Sequence, residues 1–398
     1  MPHTSRPKKR LMFVVLAGNG HVNPTLPLVE ELVRRGHRVD YATGPEHAEA
    51  VTGAGARWVQ LPGLKPFTPP SHVGPEVIGA WLRHYFAAMA GTHPVLRDRC
   101  AAADPPDAVC YDTTNWPGRV VAEDFALPAI RLVPHFASNE KFSLHAHLVQ
   151  FLEPDHPAMR ALTADRTHFA RTYGVDADRV DPLAEPATDL NLIFVPRRLQ
   201  PHGDSFDNRH HFAGPSLTAR DRAEHWKPRD PHAPLVYISL GSVATGSPDF
   251  YRRCVDAFAD TPWQVAMTIG RTDPVDLGPL PPTVEVRPSF PQLAVLRHAS
   301  AFVSHAGMNS VLESLHHGVG LVTLPHTPEQ SLNADRVQEL NLGTRLDRDT
   351  ATPTALHAAV THLTTDPTTQ SALRTIREAL HTTGGAPHAA DLIEQHLA

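Results

Sequence analysis

A short, wholly apolar segment followed by a polar loop and a helix-periodic stretch is the feature that most limits the folds open to this chain. Leu11 to Leu16 is a continuous apolar run, as expected for a parallel strand covered on both faces. Apolar residues then repeat at helical spacing over residues 24–35, and Gly36 stands where a helix would end. With Arg38 to Thr43 as a second strand, the start predicts a β-loop-α-β unit of the doubly wound type.

A similar opening recurs in the second half of the chain. Leu235 to Leu240 is apolar, Gly241 and Ser242 form a predicted turn, and residues 249–259 have helical spacing. Further strands and helices are predicted to alternate after it, with strands at Gln264 to Ile269, Ala301 to Ser304 and Gly320 to Leu324 and helices at 308–317 and 331–340. This alternation predicts a second parallel sheet.

The length of 398 residues also favours two domains. Residues 197–234 are rich in Pro, His, Arg and Asp and lack sustained periodicity, so we predict a linker there and a boundary near residue 220. The predicted fold is α/β, with two Rossmann-like doubly wound domains, 1–220 and 221–398, and a last helix that is a candidate to return to the first domain. Open parallel sheets bind ligands outside the carboxyl ends of their strands, so the chemistry is expected in a cleft that the two domains face.

Composition argues against several classes of protein. The net charge of −6 and the lack of a long basic run disfavour a nucleic-acid partner. The three cysteines are neither paired nor closely spaced, which suits a reduced cytosol and not a disulfide framework or a zinc site. The basic start and the apolar run of eight residues after it imitate a signal peptide, but no cleavage site follows, so a buried first strand is preferred. No stretch approaches the ~20 apolar residues of a membrane span, and we expect a cytoplasmic protein.

The loop after the first predicted strand carries a candidate general base. Its Gly18-Asn19-Gly20-His21-Val22-Asn23 sequence fails the dinucleotide fingerprint at the last position, and the second strand ends without a ribose-binding acid. His21 is placed just before a predicted helix N-terminus, whose positive end favours a neutral imidazole able to act as a base. A solvated loop histidine is the alternative.

Asp112 ends another short apolar run, Val109 to Asp112, and is expected at the same rim of the sheet. A carboxylate there can accept the other ring N–H of His21, fix its tautomer and stabilise the imidazolium. A helix N-cap is the alternative role, since Thr113 and Asn115 begin a plausible helix.

In the second half, Phe302 to Ser310 runs from a strand through a tight turn into a helix. Gly307 lets the backbone approach a diphosphate, the helix N-terminus favours its charge, and His305, Asn309 and Ser310 can add donors. Glu313, one turn further on, can accept hydrogen bonds from ribose hydroxyls, with a solvated helix glutamate as the alternative.

Other motifs are weaker. Gly241 and Gly246 have P-loop spacing, but Ser247 replaces the lysine, which leaves a turn that can lend Ser242 to a phosphate. The pairs His210-His211 and His316-His317 lack a spaced third ligand, so surface histidines are expected there and no metal site.

These residues resemble the GT-B nucleotide-sugar glycosyltransferases, in particular the bacterial macrolide-type branch of the UDP-dependent family. The pieces that carry the resemblance are Gly20 to Pro24, Tyr111-Asp112, Ser239 to Ser242, Pro291 to Leu293, and the stretch from His305 through Asn309, Ser310 and Glu313 to Pro328-Glu329-Gln330. The resemblance covers nearly the whole chain. It implies an N-terminal acceptor-binding domain and a C-terminal nucleotide-sugar-binding domain.

The resemblance also implies roles for these residues. His21 would activate the acceptor hydroxyl and Asp112 would orient it. His305, Gly307, Asn309 and Ser310, with Ser242 from the opposite loop, would hold the diphosphate, and Glu313 would hold the ribose. Gln292 belongs to the family's Pro-Gln pair, and Glu329 and Gln330 match the acidic-Gln pair that binds sugar hydroxyls, which implies UDP-glucose as the donor.

One position departs from the family pattern. An aromatic, commonly Trp, often lies two residues before the Pro-Gln pair and stacks on the base, whereas this chain has Ser289 followed by Phe290. A one-residue shift would let Phe290 stack instead. If it does not, the preference between uracil and thymine stays open.

The expected reaction is a single in-line displacement with inversion and without a cofactor or a metal, because a helix N-terminus replaces the divalent ion. Large apolar side chains of the first half favour an aromatic or polyketide-like small-molecule acceptor, with a core role as the alternative: Phe67, Trp81, Tyr85, Phe86, Met89, Phe136, Phe142 and Phe151. The rival functions are a nucleotide-sugar epimerase or hydrolase on the same fold, and a sugar-nucleotide-binding protein without catalysis. The oligomeric state is left open.

Overall fold

The chain forms two compact units, each built on one parallel β-sheet. A computed structural model describes residues 7–63, 75–150, 152–153, 155–217, 224–241 and 246–398. The first unit consists of Met1–Ser216 and Thr383–Ala398, and the second of Leu217–Thr382. The predicted fold class, two Rossmann-like parallel-sheet domains, is confirmed.

The sheet of the first unit has the strand order β3-β2-β1-β4-β5-β6-β7, with parallel pairing throughout. Its strands are β1 (Arg10–Val14), β2 (Arg38–Thr43), β3 (Arg57–Gln60), β4 (Ala108–Asp112), β5 (Ala129–Val133), β6 (Leu190–Ile193) and β7 (His210–Phe212). Its helices are α1 (Asn19–Arg34), α2 (Ala48–Gly53), α3 (Pro75–Cys100), α4 (Trp116–Asp124), α5 (Leu144–Val149), α6 (Pro157–Tyr173) and α13 (Gly385–His396). The chain order reverses between β1 and β4, the position where open sheets bind ligands.

The apolar run of β1 is explained by burial on both faces of the sheet. Leu11 and Phe13 belong to the core on one face, and Met12 and Val14 belong to the core on the other. Helix α1 covers the first of these cores with Val22, Leu28, Val29 and Leu32. A central parallel strand therefore reads as continuously apolar because successive side chains enter different cores.

The last helix, α13, belongs to the first unit. Its small side chains Ala386, Ala389 and Ala390, with Ile393, lie in the same core as α1. At the end of α1, the Arg35 guanidinium donates hydrogen bonds to Asp391 and Glu394 of α13.

The second unit is also built on one parallel sheet with helices. Its sheet has the order β10-β9-β8-β11-β12-β13, again parallel. The strands are β8 (Leu235–Ser239), β9 (Gln264–Thr268), β10 (Val284–Arg287), β11 (Ala301–Ser304), β12 (Gly320–Thr323) and β13 (Gly343–Arg345). The helices are α7 (Pro248–Phe258), α8 (Gln292–Leu296), α9 (Met308–His317), α10 (Pro328–Glu339), α11 (Pro353–Thr365) and α12 (Pro367–Thr382). The reversal of chain order falls between β8 and β11.

Two sequence-based expectations are wrong in detail. Helix α1 begins at Asn19 and not at Pro24, so His21 lies in its first turn and not before it, and both Pro24 and Pro27 lie inside the helix. The segment 197–234 is not a linker throughout, because β7 lies within it and pairs with β6. A three-residue edge strand carries too little periodicity to be recognised in sequence.

No helix in the described part of the chain is long and apolar enough to cross a membrane.

Candidate active site

In the first unit, a histidine and an aspartate meet at the carboxyl ends of neighbouring strands. The Nδ1 atom of His21, in the first turn of α1, lies 2.7 Å from Oδ2 of Asp112, the last residue of β4. The side chain of His21 is 21% exposed and that of Asp112 is fully buried. The predicted pairing of these two residues is therefore present in the fold, and their roles in a reaction stay predictions.

Asp112 is held in its ionised form. Burial alone would raise its pKa, but the adjacent His21 and hydrogen bonds from His21 and Thr114 lower the pKa below its ordinary value. The second carboxylate oxygen, Oδ1, accepts hydrogen bonds from the backbone N–H and the hydroxyl of Thr114. Asp112 thus closes a local turn. It is not the predicted alternative N-cap, because α4 begins at Trp116 and its N-cap is Asn115.

This geometry fixes the chemistry of the imidazole. An ionised carboxylate only accepts hydrogen bonds, so Nδ1 of His21 carries the proton and Nε2 is the basic nitrogen. When Nε2 takes a proton, the carboxylate of Asp112 stabilises the resulting imidazolium. The pair can therefore remove a proton from a hydroxyl.

Further polar residues that the sequence did not single out surround the pair. The ring of His135, two residues beyond β5, lies edge-on to the ring of His21 with centroids 6.3 Å apart. Glu185 accepts a hydrogen bond from the Thr113 hydroxyl at 3.0 Å. Although burial opposes ionisation, the nearby His145, His135 and an arginine lower the pKa of Glu185. Since these residues lie far apart in the sequence and match no motif, only the fold reveals them.

The aromatic residues proposed to bind the acceptor divide into two groups. Trp81 is 40% exposed and stacks on Tyr85, with ring centroids 5.4 Å apart. Burial and the charge of Asp112 raise the pKa of the Tyr85 hydroxyl, which places that hydroxyl near the pair. Four others belong to the core and are at most 8% exposed: Phe86, Met89, Phe136 and Phe142. Phe67 and Phe151 lie outside the described residues.

In the second unit, a histidine again follows a central strand. His305 comes directly after β11 and is buried, which lowers its pKa to about 4, and it is hydrogen-bonded to the backbone of Ser239. Gly241 has a φ of +83°, and an added Cβ there would lie 2.7 Å from the His305 ring. A Cβ at Gly307 would lie 2.5 Å from Nε2 of the same ring. The two glycines are therefore needed to make room for a neutral imidazole.

The turn before α9 is braced by a residue that the sequence did not indicate. Ala306 has a φ of +63°, a left-handed conformation that costs a non-glycine residue about 1 kcal/mol or more. Its carbonyl accepts a hydrogen bond of 2.9 Å from Nδ2 of Asn333, which is buried. Asn333 lies in α10, and only the fold brings it to the turn.

Helix α9 begins at this turn. Its N-cap is Gly307, which has no side chain to cap the first N–H groups of the helix. These N–H groups and the helix dipole favour an anion. Asn309 and Ser310 lie in the first turn, as predicted from sequence.

A hydrogen-bonded cluster connects α8 to α9. The Nε2 atom of Gln292 lies 2.7 Å from Oε2 of Glu313 and 3.2 Å from Oγ of Ser310. Glu313 is only 3% exposed, so the alternative of a solvated helix glutamate is wrong. The structure therefore brings together three of the predicted donor-binding residues.

Gln330 has a structural role that was not predicted. Its side-chain oxygen accepts hydrogen bonds from the backbone N–H groups of His326 and Thr327, and the Thr327 hydroxyl accepts one from the backbone N–H of Gln330. This is a capping box at the start of α10, and the Thr-Pro-Glu-Gln sequence could have revealed it. Glu329 lies beside Gln330 in the first turn, and the binding of sugar hydroxyls by these two residues stays a prediction.

Phe290 and Ser242 are two more residues predicted to bind the donor. Phe290 is 8% exposed, and the Arg287 guanidinium lies 4.9 Å from its ring centroid. The rings of Phe290 and Trp226 form a T-shaped contact with their centroids 6.0 Å apart. Its stacking on a base stays a prediction. Ser242 lies outside the described residues.

The sequence also contains two Asp-x-Asp triplets, at 176–178 and 347–349. Asp176 accepts a hydrogen bond from the N–H of Asp178, and Asp347 accepts one from the N–H of Asp349. Both triplets thus close local turns. Over the described ranges, no group of three or more His, Cys, Asp or Glu side chains is placed to hold a metal ion.

Known proteins match this chain along its length. The family model described as UDP-glucoronosyl and UDP-glucosyl transferase matches residues 221–381. The oleandomycin glycosyltransferase of Streptomyces antibioticus is 35% identical over 100% of this chain and 93% of its own. The demethyllactenocin mycarosyltransferase of Streptomyces fradiae is 35% identical over 96% of this chain and 86% of its own. Among solved structures, the glycosyltransferase of kitacinnamycin is 36% identical, with a TM-score of 0.88 over 99% of this chain and 100% of its own.

Proposed function

Because the chain belongs to the UDP-glucosyl and UDP-glucuronosyl transferase family of glycosyltransferases, we propose that it is an inverting enzyme that moves glucose from UDP-glucose to a hydroxyl of a small, apolar natural product. The proposed acceptor is a macrolide, polyketide or phenolic compound, and the proposed compartment is the cytoplasm. The observation that carries the proposal is the 2.7 Å contact between His21 and Asp112. A nucleotide-sugar epimerase has little use for a base at this place, and the relatives support neither an epimerase nor a hydrolase.

The first unit supplies the base. Nε2 of His21 takes the proton of the acceptor hydroxyl as the acceptor oxygen forms a bond to the anomeric carbon. Asp112 stabilises the imidazolium, and its burial keeps water from competing for the carboxylate. The nucleophile is the acceptor's own oxygen, so a single displacement inverts the configuration at the anomeric carbon.

The second unit supplies the leaving-group site. As the bond between the anomeric carbon and the diphosphate breaks, negative charge grows on the diphosphate oxygens. The N-terminus of α9, which follows a glycine N-cap, suits that charge, with His305, Asn309 and Ser310 as side-chain donors. We propose that these groups take the place of a divalent cation and that no cofactor takes part.

The identity of the sugar rests on fewer observations. Glu329 and Gln330 begin α10 beside the α9 turn, where the amide nitrogen of Gln330 can reach a sugar hydroxyl. This favours a fully hydroxylated hexose such as glucose. One relative carries mycarose in its name, so dTDP-linked deoxysugars are the alternative donors to test.

The acceptor class rests on Trp81 and Tyr85. The stacked pair combines an exposed indole with a phenol next to Asp112, which suits a flat or apolar acceptor whose hydroxyl reaches His21. The names of the relatives, which include oleandomycin and kitacinnamycin, point to natural products.

Mass spectrometry tests this proposal. Purified protein is incubated in EDTA with UDP-glucose or a dTDP-deoxysugar and a panel of phenolic and macrolide acceptors, next to His21→Ala. The expected result is an acceptor mass increased by one hexose from UDP-glucose, in EDTA, and lost in the variant. Release of UDP without a glycosylated product, unchanged in His21→Ala, would point to a hydrolase instead.

A further inference from the structure

His135 lies at the same edge of the first sheet as the His21–Asp112 pair. It follows β5 by two residues, and β5 is the neighbour of β4, which ends in Asp112. Its ring lies at 80° to that of His21. Three adjacent strands, β1, β4 and β5, thus bring one residue each to this edge.

The structure fixes the tautomer of His135. Its Nδ1 atom lies 2.8 Å from the carbonyl oxygen of Phe136. A carbonyl only accepts hydrogen bonds, so Nδ1 carries a proton and Nε2 is the ring nitrogen that can accept a hydrogen bond. Within the described part of the chain, Nε2 makes no hydrogen bond.

The loop that carries His135 is held rigidly. The buried side chain of Gln200 accepts a hydrogen bond from the N–H of Ala137 at 2.8 Å and donates one to the carbonyl of Ala137 at 3.0 Å. His135 itself is 6% exposed. His135 is thus held with its Nε2 beside the proposed base, where a ligand hydroxyl can donate a hydrogen bond to it.

On the premise of the proposed function, we propose that His135 determines acceptor specificity: its Nε2 accepts a hydrogen bond from a second hydroxyl, adjacent to the one that is glycosylated. The acceptor class that fits is a vicinal dihydroxy compound, such as a catechol. One hydroxyl gives its proton to His21, and the neighbouring hydroxyl donates to His135.

The separation of the two rings agrees with this assignment. Their centroids are 6.3 Å apart, and each hydrogen bond adds about 2.8 Å between oxygen and nitrogen. This spacing is short enough for one small ligand to bridge the two rings, and the proposed bridge is a pair of hydroxyls on neighbouring carbon atoms. A methyl ether at the second position keeps the size of the acceptor but has no proton to donate.

The experiment compares 4-methylcatechol with 2-methoxy-4-methylphenol in wild type, His135→Phe and His135→Gln. The ratio of kcat/KM for the catechol to kcat/KM for the ether is the readout. The Gln variant keeps an acceptor atom, and His168→Gln, on the exposed face of α6, is the matched control. Calorimetric binding of both ligands to the same proteins provides a readout that needs no sugar transfer.

The ratio is expected to fall about tenfold in His135→Phe, to recover to within about threefold in His135→Gln, and to stay unchanged in His168→Gln. An unchanged ratio in His135→Phe, or an equal loss on both acceptors, would overturn the inference. If wild type transfers no sugar to either compound, the proposed function fails for these acceptors. The binding ratio then still decides the role of His135.

Discussion

Each unit carries a histidine just beyond a central strand, beside the reversal of chain order, but the two histidines have opposite surroundings. His21 is partly exposed and faces an ionised, buried carboxylate. His305 is buried, is hydrogen-bonded to backbone, and has its pKa lowered to about 4. The first environment favours uptake of a proton, and the second keeps the ring neutral at physiological pH.

The difference teaches that the partner of each imidazole, and not the residue type, decides its chemistry. A neutral ring among backbone N–H groups can donate a hydrogen bond to an anion but does not act as a base at pH 7. A ring paired with a carboxylate can accept a proton and hold it. The proposed function accordingly assigns proton removal to the first unit and anion stabilisation to the second.

Replacing His21 with Ala gives the largest expected effect. Without the base, kcat should fall about 10³-fold, within the range usual for general base catalysis. Calorimetric affinity for UDP should stay within about twofold, because the proposed donor site lies in the second unit. A large loss of UDP affinity in this variant would contradict the proposed assignment of donor binding to the second unit.

Asp112→Asn sharpens the comparison, because it keeps the shape of the pair and removes the charge. We expect kcat to fall roughly 10²-fold, since an amide does not stabilise the imidazolium and can orient the ring wrongly. Steady-state kinetics with both substrates varied measures this. A kcat close to that of wild type would show that the carboxylate of Asp112 serves only the Thr114 turn.

Glu313→Gln tests the second unit. Glu313 is a buried glutamate whose Oε2 accepts a hydrogen bond from Gln292, and the loss of a partner from a buried hydrogen bond costs about 1–3 kcal/mol. The donor KM should rise about tenfold while the acceptor KM stays unchanged. Glu339→Gln, at an exposed glutamate of α10, is the matched control. A similar rise of the donor KM in this control would contradict a role of Glu313 in donor binding.

The last expected effect concerns stability and not activity, as a pH dependence in the second unit. His305 has a folded pKa of about 4, below its ordinary value of about 6.5. As the pH falls below 6.5, the unfolded chain binds a proton that the folded chain excludes, so the free energy of unfolding decreases. Between pH 7 and 5 the loss should be about 2 kcal/mol.

Urea unfolding at pH 7 and pH 5 measures this loss of unfolding free energy. Hydrogen exchange in peptides of α9 serves as the readout, so that the second unit alone is followed. His305→Asn should remove that part of the pH dependence. An identical dependence in wild type and variant would mean that His305 is not kept neutral by burial.

Much of this organisation could be predicted from the sequence. The strands β1 and β8 are recognisable as apolar runs because both of their faces are covered. The segment directly after β1 contains His21, and the turn directly after β11 contains His305. The chain order of a doubly wound sheet then places Asp112 beside His21. Short-range patterns were sufficient wherever one segment carried both the strand and the functional residue.

The remaining features depend on contacts between distant segments. His135 and Asn333 have no local motif, and they reach the two sites only through strand order and helix packing. The start of α1 was misplaced because Pro24 is typical of a first turn, whereas the helix accommodates it one turn later. The strand β7 was missed because three residues show no period.

The central claim, that His21 acts as a base, is tested most directly by the acidity of the acceptor. Transfer rates of wild type and His21→Ala are compared at pH 8 with 4-methylphenol, which is protonated, and with 4-nitrophenol, which is largely ionised. The account predicts a loss of about 10³-fold on 4-methylphenol and a much smaller loss on 4-nitrophenol, whose proton is already gone. An equal loss on both phenols would contradict it, because His21 would then position the acceptor without removing its proton.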